Sequence, residues 1–286
     1  MKVLVFGREG QVATELRRRH GAAIIAIGRD TADLADPEAC ARAVERTDAG
    51  AVINAAAWTA VDKAEAAEAE ATRVNGAAPA AMARAAAARG LPFVQISTDY
   101  VFDGTGERPW RPENAPAPIN AYGRSKLAGE EGTRAAGGAF AILRTSWVVS
   151  AHGANFVKTM LRLGAERDAL SIVADQVGGP TPAADIADAC MTIAGALQRR
   201  PELAGTYHFA GAPAVSWADF AREILARAGL ATAVRDIPTR DYPTPAARPL
   251  NSRLDMAATR AAFGLDAPDW RQGLDAILGE LGVTAR

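Results

Sequence analysis

The chain has 286 residues, of which 49% are hydrophobic and 23% are charged, and its formal net charge is -1. A chain of this length can bury one large core or two unequal ones. A net charge so close to zero argues against a broad basic surface for nucleic acid or anionic lipid. We therefore expect a small-molecule site, in which a few placed residues hold any anionic ligand.

Cysteine, histidine and apolar residues exclude several other classes of site. Cys40 and Cys190 lie in alanine-rich stretches that are predicted to be helical, and their spacing fits no disulfide or metal framework. The apolar start at residues 1–7 is too short for a signal peptide, and no segment reaches about 18 apolar residues. We therefore expect a cytoplasmic enzyme without a membrane span. A structural zinc site is not expected, because the histidines lie far apart: His20, His152 and His208.

The first half of the chain alternates short β-branched runs with longer alanine- and arginine-rich stretches. Strands are predicted over residues 2–6, 23–27, 51–54, 92–97 and 140–145. Helices are predicted from about residue 11, from about residue 37, after residue 54, and over residues 77–89 and 121–135. This alternation favours right-handed βαβ units and a doubly wound parallel sheet, which is the Rossmann architecture of the α/β class.

The rhythm loosens after residue 145, where a smaller lobe is expected. Turn signals occur at residues 178–180 and 211–213, and a proline-rich loop covers residues 238–249. Apolar spacing of three and four residues predicts helices over 217–228 and 270–281. We therefore divide the chain into a dinucleotide-binding domain, residues 1–149, and a mainly substrate-binding lobe, residues 150–286. A later segment, about residues 183–212, is expected to return to the first domain.

A glycine turn joins the first predicted strand to the first predicted helix. Gly7 and Gly10 would let backbone N–H groups approach a pyrophosphate at the helix N-terminus, with Gln11 and Val12 beside it. The usual third glycine is replaced by Ala13, which is still small enough for close helix–sheet packing. The pattern predicts dinucleotide binding, with an ordinary strand-to-helix turn as the alternative.

The second strand ends about twenty residues later, where the adenosine ribose should lie. Arg29 suits the 2′-phosphate of NADPH, whereas Asp30 suits a free 2′-hydroxyl, so we expect NADPH and also NADH to serve. Asp33 and Leu34 follow at a place where a loop could cover the adenine. After the third strand, the residues predicted to let the nicotinamide-side ribose approach the backbone are Ala56, Ala57 and Trp58.

The strongest local pattern pairs Tyr122 with Lys126, after a strand that ends at Thr98. Residues four apart share a helix face, so the Lys126 ammonium is expected near the Tyr122 hydroxyl. To lower a tyrosine pKa from about 10 by about three units, the phenolate must be stabilised by about 4 kcal/mol relative to the phenol. One positive charge at about 4 Å supplies about that much at an effective dielectric constant of about 20. Tyr122 is therefore predicted to donate a proton while the Thr98 hydroxyl orients a substrate carbonyl.

These residues carry a resemblance that spans essentially the whole chain. The segment 54–65, the run Ser97-Thr98-Asp99-Tyr100-Val101-Phe102-Asp103-Gly104, and Tyr122 with Lys126 are similar to the dTDP-4-dehydrorhamnose reductase family of extended short-chain dehydrogenases/reductases. That family reduces the 4-keto group of dTDP-6-deoxy-L-lyxo-4-hexulose to give dTDP-L-rhamnose, a building block of bacterial surface polysaccharide. The resemblance implies a catalytic set of Thr98, Tyr122 and Lys126, cofactor contacts at Gly10, Gln11 and Val12, and Trp147 against the sugar.

Several other residues are candidates for binding the nucleotide-sugar substrate. Arg248 could pair its planar guanidinium with the pyrophosphate. Asp99, Trp147 and Asn155 are further candidate contacts, the last at the start of a predicted helix. Some members of the family hold a magnesium ion between subunits, and the residues at comparable places here are Glu15 and Asp185. A homodimer is accordingly one expected assembly.

Three alternatives remain at this point. A nucleotide-sugar dehydratase commonly has an Asp-Glu pair after the threonine, whereas here Asp99 is followed by Tyr100. An epimerase of the same fold would hold its cofactor tightly and recycle it. A non-catalytic relative, the regulatory subunit of methionine adenosyltransferase, has the same Ser-Thr-Asp-Tyr-Val-Phe-Asp-Gly run and would bind dinucleotide and a partner enzyme without turnover.

Overall fold

A computed structural model describes residues 1–283, and its centre is a six-stranded parallel sheet. The strands of the chain are β1 Val3–Phe6, β2 Ile24–Ile27, β3 Ala51–Asn54, β4 Phe93–Thr98, β5 Phe140–Thr145, β6 Val148–Val149, β7 Ala169–Val173, β8 Val177–Gly178, β9 Thr181–Pro182, β10 Gly205–His208, β11 Val215–Ser216, β12 Ala233–Ile237 and β13 Asn251–Ser252. The order in the large sheet is β10-β5-β4-β3-β1-β2. From β1, the sheet is extended first on one side by β2 and then on the other side by β3, β4, β5 and β10. Such a switch point, here between β1 and β3, opens a crevice at the carboxyl ends of the strands.

Helices cover both faces of this sheet. They are α1 Gln11–His20, α2 Pro37–Arg46, α3 Val61–Ala66, α4 Glu68–Thr72, α5 Ala78–Ala88, α6 Ala121–Ala136, α7 Phe156–Glu166, α8 Ala183–Arg199, α9 Trp217–Arg227, α10 Ala257–Phe263 and α11 Trp270–Glu280. A π-helical segment, Arg73–Ala77, connects α4 to α5. The predicted α/β class with a parallel sheet is confirmed, and most predicted elements match to within one residue at each end.

Each face of the sheet has its own apolar core. On one face, α1 and α8 pack against β1 and β3, and this core contains the fully buried Cys190. On the other face, α2 and α5 cover the sheet, and this core contains the fully buried Cys40. Both cysteines are free thiols. Burial raises the pKa of each of them to about 12.

A third core belongs to the region after β5. It joins α7, α9 and α11, and its largest buried side chains include Phe220 and Trp270. The segment 183–208 departs from this lobe, because α8 and β10 join the large sheet and its covering helices. The domain limits assigned from the sequence stay a prediction. Among residues 1–283, no helix is both long enough and apolar enough to cross a lipid bilayer.

Candidate active site

The glycine turn lies at the carboxyl end of β1, beside the crevice. Gly7 has φ +118°, which favours glycine, and a Cβ there would lie 3.2 Å from the Ala13 side chain. Gly10 precedes α1 in an extended conformation, and no side chain caps the helix. Within residues 1–283, the first amides of α1 therefore have no side-chain acceptor, which is the arrangement that suits an anion at a helix N-terminus. Ala13 is buried against the turn and fits this packing.

Gln11, predicted to touch the cofactor, also links the two lobes. Its amide donates to the Val148 carbonyl at 3.3 Å and accepts from Ser150 at 2.8 Å and from Asn155 at 3.0 Å. Asn155 caps α7 by accepting from the Lys158 amide. Its own amide also donates to the Ser150 and His152 carbonyls. The structure thus engages Asn155 in local bonds, and its contact with a nucleotide stays a prediction.

At the predicted ribose position, an exposed ion pair forms between Arg8 and Asp30. The guanidinium lies 3.1 Å from one carboxylate oxygen and donates to the other at 3.2 Å. Arg29 is exposed, and the Asp33 carboxylate accepts a hydrogen bond from the Ala35 amide at 2.9 Å. Leu34 is buried in the core beneath β1. Arg8 was not predicted, because the sequence gives no sign that the turn and the end of β2 meet.

The segment after β3 connects the crevice to α6. Ala56 and Ala57 are half-buried beside Ala55, whose carbonyl lies close to the glycine turn. The backbone of Trp58 exchanges two hydrogen bonds with the buried Asn75 side chain, at 2.8 and 3.0 Å. Asn75 also donates to the Ser125 hydroxyl at 2.9 Å. Asn75 lies in the π-helical segment, and such segments often mark functional sites, although sequence alone did not reveal it.

Thr98 and Tyr122 meet where β4 ends against the first turn of α6. Thr98 is buried, and its hydroxyl lies close enough to the Tyr122 phenol to lower the pKa of that phenol. The Asn120 side chain caps α6 by accepting from the Gly123 amide at 2.8 Å, which fixes the turn that carries the tyrosine. The Tyr122 ring meets the Tyr100 ring edge-on, with centroids 5.5 Å apart. The two hydroxyls predicted to act on one carbonyl are thus adjacent.

Lys126 is buried behind this pair. Its ammonium donates to the Ile96 carbonyl on β4 at 2.7 Å, and burial lowers its pKa to about 8. Burial also raises the pKa of the Tyr122 phenol above its usual value, and the neighbouring Thr98 hydroxyl offsets that rise only in part. The expected lowering of the Tyr122 pKa is therefore wrong for the protein groups alone, because desolvation of the phenolate and the nearby Asp99 charge both raise that pKa. A phenol with a raised pKa is fully protonated near neutral pH.

Asp99 follows Thr98 directly and is almost completely buried. The Thr98 hydroxyl donates to its carboxylate at 3.1 Å. Burial raises the pKa of Asp99 to about 6, and the nearby Ser252 and Thr98 hydroxyls oppose that rise. Ser252, on β13, was not predicted, since only the fold brings the end of the proline-rich loop to β4.

Arg248 lies in that loop, across from Tyr100. Its Nη2 pairs with Asp62 on α3 at 2.8 Å, whereas its buried Nη1 has no hydrogen-bond partner among residues 1–283. A buried guanidinium nitrogen without an acceptor is costly, so this position suits an anionic ligand. Burial raises the pKa of Tyr100 to about 12, and the neighbouring Arg248 charge opposes that rise.

Trp147 follows β5 and is the one non-glycine residue between 1 and 283 with a positive φ, +49°. Its ring stacks on Trp217 at a centroid distance of 3.5 Å and an angle of 9°. A Cβ on Gly178 would lie 2.8 Å from the Trp147 ring, so glycine allows this close approach. Backbone strain of this kind is often retained at functional sites. Trp217 begins α9 as predicted, and its ring also supports the Trp147 ring.

The acidic residues considered for magnesium lie in a cleft of about 320 Å³ lined by α1, α8 and α11. Glu15 lies within 4.8 Å of His152 and Glu280 in a possible metal-binding group, to which Asp185 does not belong although it lines the cleft. Glu15 already pairs with Arg18 at 2.9 Å and with His152 at 3.0 Å. Mg²⁺ prefers oxygen ligands, so a group that includes an imidazole does not fit it, and we assign it no part in the reaction.

Comparison with known proteins agrees with this arrangement. The family described as RmlD substrate binding domain matches residues 1–283. A dTDP-4-dehydrorhamnose reductase from Burkholderia thailandensis is 44% identical over 98% of this chain and 99% of its own length. The crystal structure of a dTDP-4-dehydrorhamnose reductase from Clostridium acetobutylicum has a TM-score of 0.92 at 34% identity, covering 99% of this chain and 100% of that one. The enzyme from Bacillus anthracis, solved in complex with NADP, has a TM-score of 0.91 at 34% identity and covers 98% and 100%. The chain therefore belongs to the dTDP-4-dehydrorhamnose reductase family.

Proposed function

We propose that this chain reduces the 4-keto group of dTDP-4-dehydro-L-rhamnose to give dTDP-L-rhamnose, with a nicotinamide dinucleotide as the reductant. The observation that carries the proposal is the placement of Thr98, where β4 ends, beside Tyr122 in the first turn of α6, with Lys126 buried behind them. Both hydroxyls can address one carbonyl oxygen. This site belongs to a chain that matches reductases over nearly its whole length.

The chemistry divides between the cofactor and three side chains. A bound reduced nicotinamide supplies the hydride that reaches the carbonyl carbon. The Thr98 hydroxyl orients the carbonyl, and the Tyr122 phenol transfers its proton to the carbonyl oxygen as the alcohol forms. The Lys126 ammonium stabilises the phenolate that is left behind. The pKa of Tyr122 is raised when only the protein surrounds it, so the phenol is protonated before the reaction. The Lys126 cation therefore acts mainly by stabilising the phenolate after the proton has been transferred.

The cofactor is proposed to lie along the crevice above β1 and β3. The uncapped amides of α1 would hold its pyrophosphate, with Gly10, Gln11 and Val12 at the turn. Arg8, Arg29 and Asp30 would face the adenosine ribose, and the segment from Ala56 to Trp58 would face the nicotinamide half. Two cations beside one carboxylate favour the 2′-phosphate of NADPH, while Asp30 leaves NADH acceptable.

The substrate is proposed to lie between β4 and the later lobe. The Arg248 guanidinium, with its unpaired Nη1, would bind the pyrophosphate. Asp99 would accept from the sugar, and the stacked Trp147 would provide an apolar wall against the hexose. Several neighbouring side chains thus converge from parts of the chain that are far apart in sequence.

The test is NADPH oxidation by the purified chain with a panel of nucleotide 4-keto-sugars, and with product stereochemistry determined by NMR. We expect turnover of the dTDP-linked substrate to a product with the L-rhamno configuration. Product of the opposite C4 configuration, or turnover only with another nucleotide, would contradict the assigned substrate. Purified protein that carries stoichiometric NAD and consumes no added NADPH would instead support an epimerase.

A further inference from the structure

A buried carboxylate lies one helical turn beyond Lys126 and takes no direct part in the reaction proposed above. Glu130 on α6 is fully buried, and its two oxygens are saturated with hydrogen bonds. One oxygen accepts from Ser97 at 2.6 Å and from Arg144 Nε at 2.8 Å. The other accepts from Arg144 Nη2 and from Arg134, both at 2.6 Å. A charge that is so deeply buried persists only when it is paired in this way.

The partners of Glu130 belong to the elements that carry the proposed catalytic groups. Ser97 immediately precedes Thr98 on β4, and Arg144 lies opposite Ser97 in the register of β5. Glu130 itself is four residues after Lys126 and eight after Tyr122, so all three share one side of α6. Its carboxylate therefore fixes the spacing between the strand end and the helix on which the reaction depends.

Glu130 also supplies negative charge beside a buried cation. The Lys126 ammonium has a carbonyl as its hydrogen-bond acceptor, and no carboxylate lies within 4.0 Å of it among residues 1–283. Burial lowers the pKa of Lys126, and the Glu130 charge opposes that fall. The bonds from Arg144 and Ser97 hold the pKa of Glu130 below its usual value despite burial, so it is ionised at neutral pH.

The other charged groups packed around these elements do not replace it. Arg144 on β5 and Arg134 on α6 are cations and disfavour a third positive charge. Asp99 lies beyond the end of β4, and the charge that raises the Lys126 pKa comes from Glu130 and not from Asp99. His208 on β10 is neutral near pH 7, because burial and the nearby Arg144 lower its pKa to about 3.

We infer that Glu130 is a positioning residue of the reductase site, which holds α6 against β4 and keeps Lys126 in its ammonium form during turnover. The inference rests on the proposed function and extends it to a residue that touches neither substrate nor cofactor. It predicts that the alkaline limit of activity depends on a side chain behind the site.

The experiment compares Glu130→Gln with Glu131→Gln, since Glu131 is an exposed neighbour on the same helix. Reductase kcat/KM and NADPH affinity are measured for both variants and the unsubstituted enzyme from pH 6 to 9.5. We expect the alkaline limb of the Glu130→Gln profile to move down by about one pH unit, as loss of a nearby opposite charge requires. The Glu131→Gln profile should match that of the unsubstituted enzyme.

Glu130→Gln leaves the buried Arg144 unpaired, so a second variant guards against simple unfolding. Glu130→Gln combined with Arg144→Met removes both charges. Its alkaline limb should also move down, but by less than that of Glu130→Gln, because the loss of Arg144 removes a cation that disfavours the Lys126 ammonium. A folded variant of either kind with an unchanged limb and unchanged kcat overturns the inference, as does failure of both to fold, which would make the carboxylate purely structural. An inactive unsubstituted enzyme would contradict the proposed function instead, and the pH dependence of NADPH affinity would still test Glu130.

Discussion

At the glycine turn, the protein offers backbone amides and an exposed ion pair, whereas at the end of β4 it offers side chains that are almost completely buried. Arg8 and Asp30 lie in water, where their attraction is worth about 1 kcal/mol or less. Glu130, Arg144 and Lys126 are buried, where loss of one partner costs several times more. Substitutions near the cofactor should therefore adjust cofactor preference, whereas substitutions of the buried groups at the end of β4 should lower turnover or change its pH dependence.

The largest effect is expected at the reacting end, from Tyr122→Phe. Removal of the proton donor should lower kcat by about 10²- to 10⁴-fold, the usual contribution of a general acid. NADPH affinity should stay close to that of the unsubstituted enzyme, because the ring and its packing are retained. Steady-state kinetics and fluorescence titration check the two parts, with Tyr242→Phe as the exposed control. Near-normal turnover would exclude the phenol as the donor.

An intermediate effect is expected at Arg248, which belongs neither to the exposed glycine turn nor to the buried groups at the end of β4. Arg248→Lys keeps the charge but loses the planar fork, so we expect KM for the nucleotide-sugar to rise about 10- to 100-fold, equivalent to about 1.5–3 kcal/mol. The value of kcat should change far less. Arg240→Lys, in the same loop but exposed, serves as the control. An equal fall in kcat with no change in KM would place Arg248 outside the substrate site.

The smallest effect is expected at the exposed ion pair. Asp30→Asn removes the charge that opposes a 2′-phosphate, and it should raise the preference for NADPH over NADH by about 2- to 5-fold. Ratios of kcat/KM for the two cofactors measure this change, and added salt should weaken it. Asp48→Asn, an exposed acid elsewhere, should leave the ratio unaltered. A shift toward NADH would show that Asp30 does not face the ribose.

The same contrast explains which parts of the site could be predicted from the sequence. Local patterns can be recognised in a sequence without knowledge of the fold. They include the glycine turn, the pair of Tyr122 and Lys126, and the alternation of strands and helices. Contacts between distant segments leave no such pattern. The pairing of Arg8 with Asp30 and the approach of Ser252 to Asp99 span 22 and 153 residues, so only the folded chain reveals them.

The lowering of the Tyr122 pKa could not be predicted correctly for a related reason. A helical spacing of four residues shows that two charges can be neighbours, but it does not show how much water surrounds them. Here burial acts on both groups, raising the pKa of the phenol and lowering that of the ammonium to about 8. Desolvation depends on the whole fold and not on the spacing of a motif.

The two cysteines, one in each core of the large sheet, have a practical consequence. With a pKa of about 12, neither thiol forms a reactive thiolate near neutral pH, and neither is accessible to alkylating reagents. Each thiol can be alkylated only after the helices and strands that bury it open by local or global unfolding. Cys40 and Cys190 are therefore natural probes that time the opening of the two faces separately, without any introduced label.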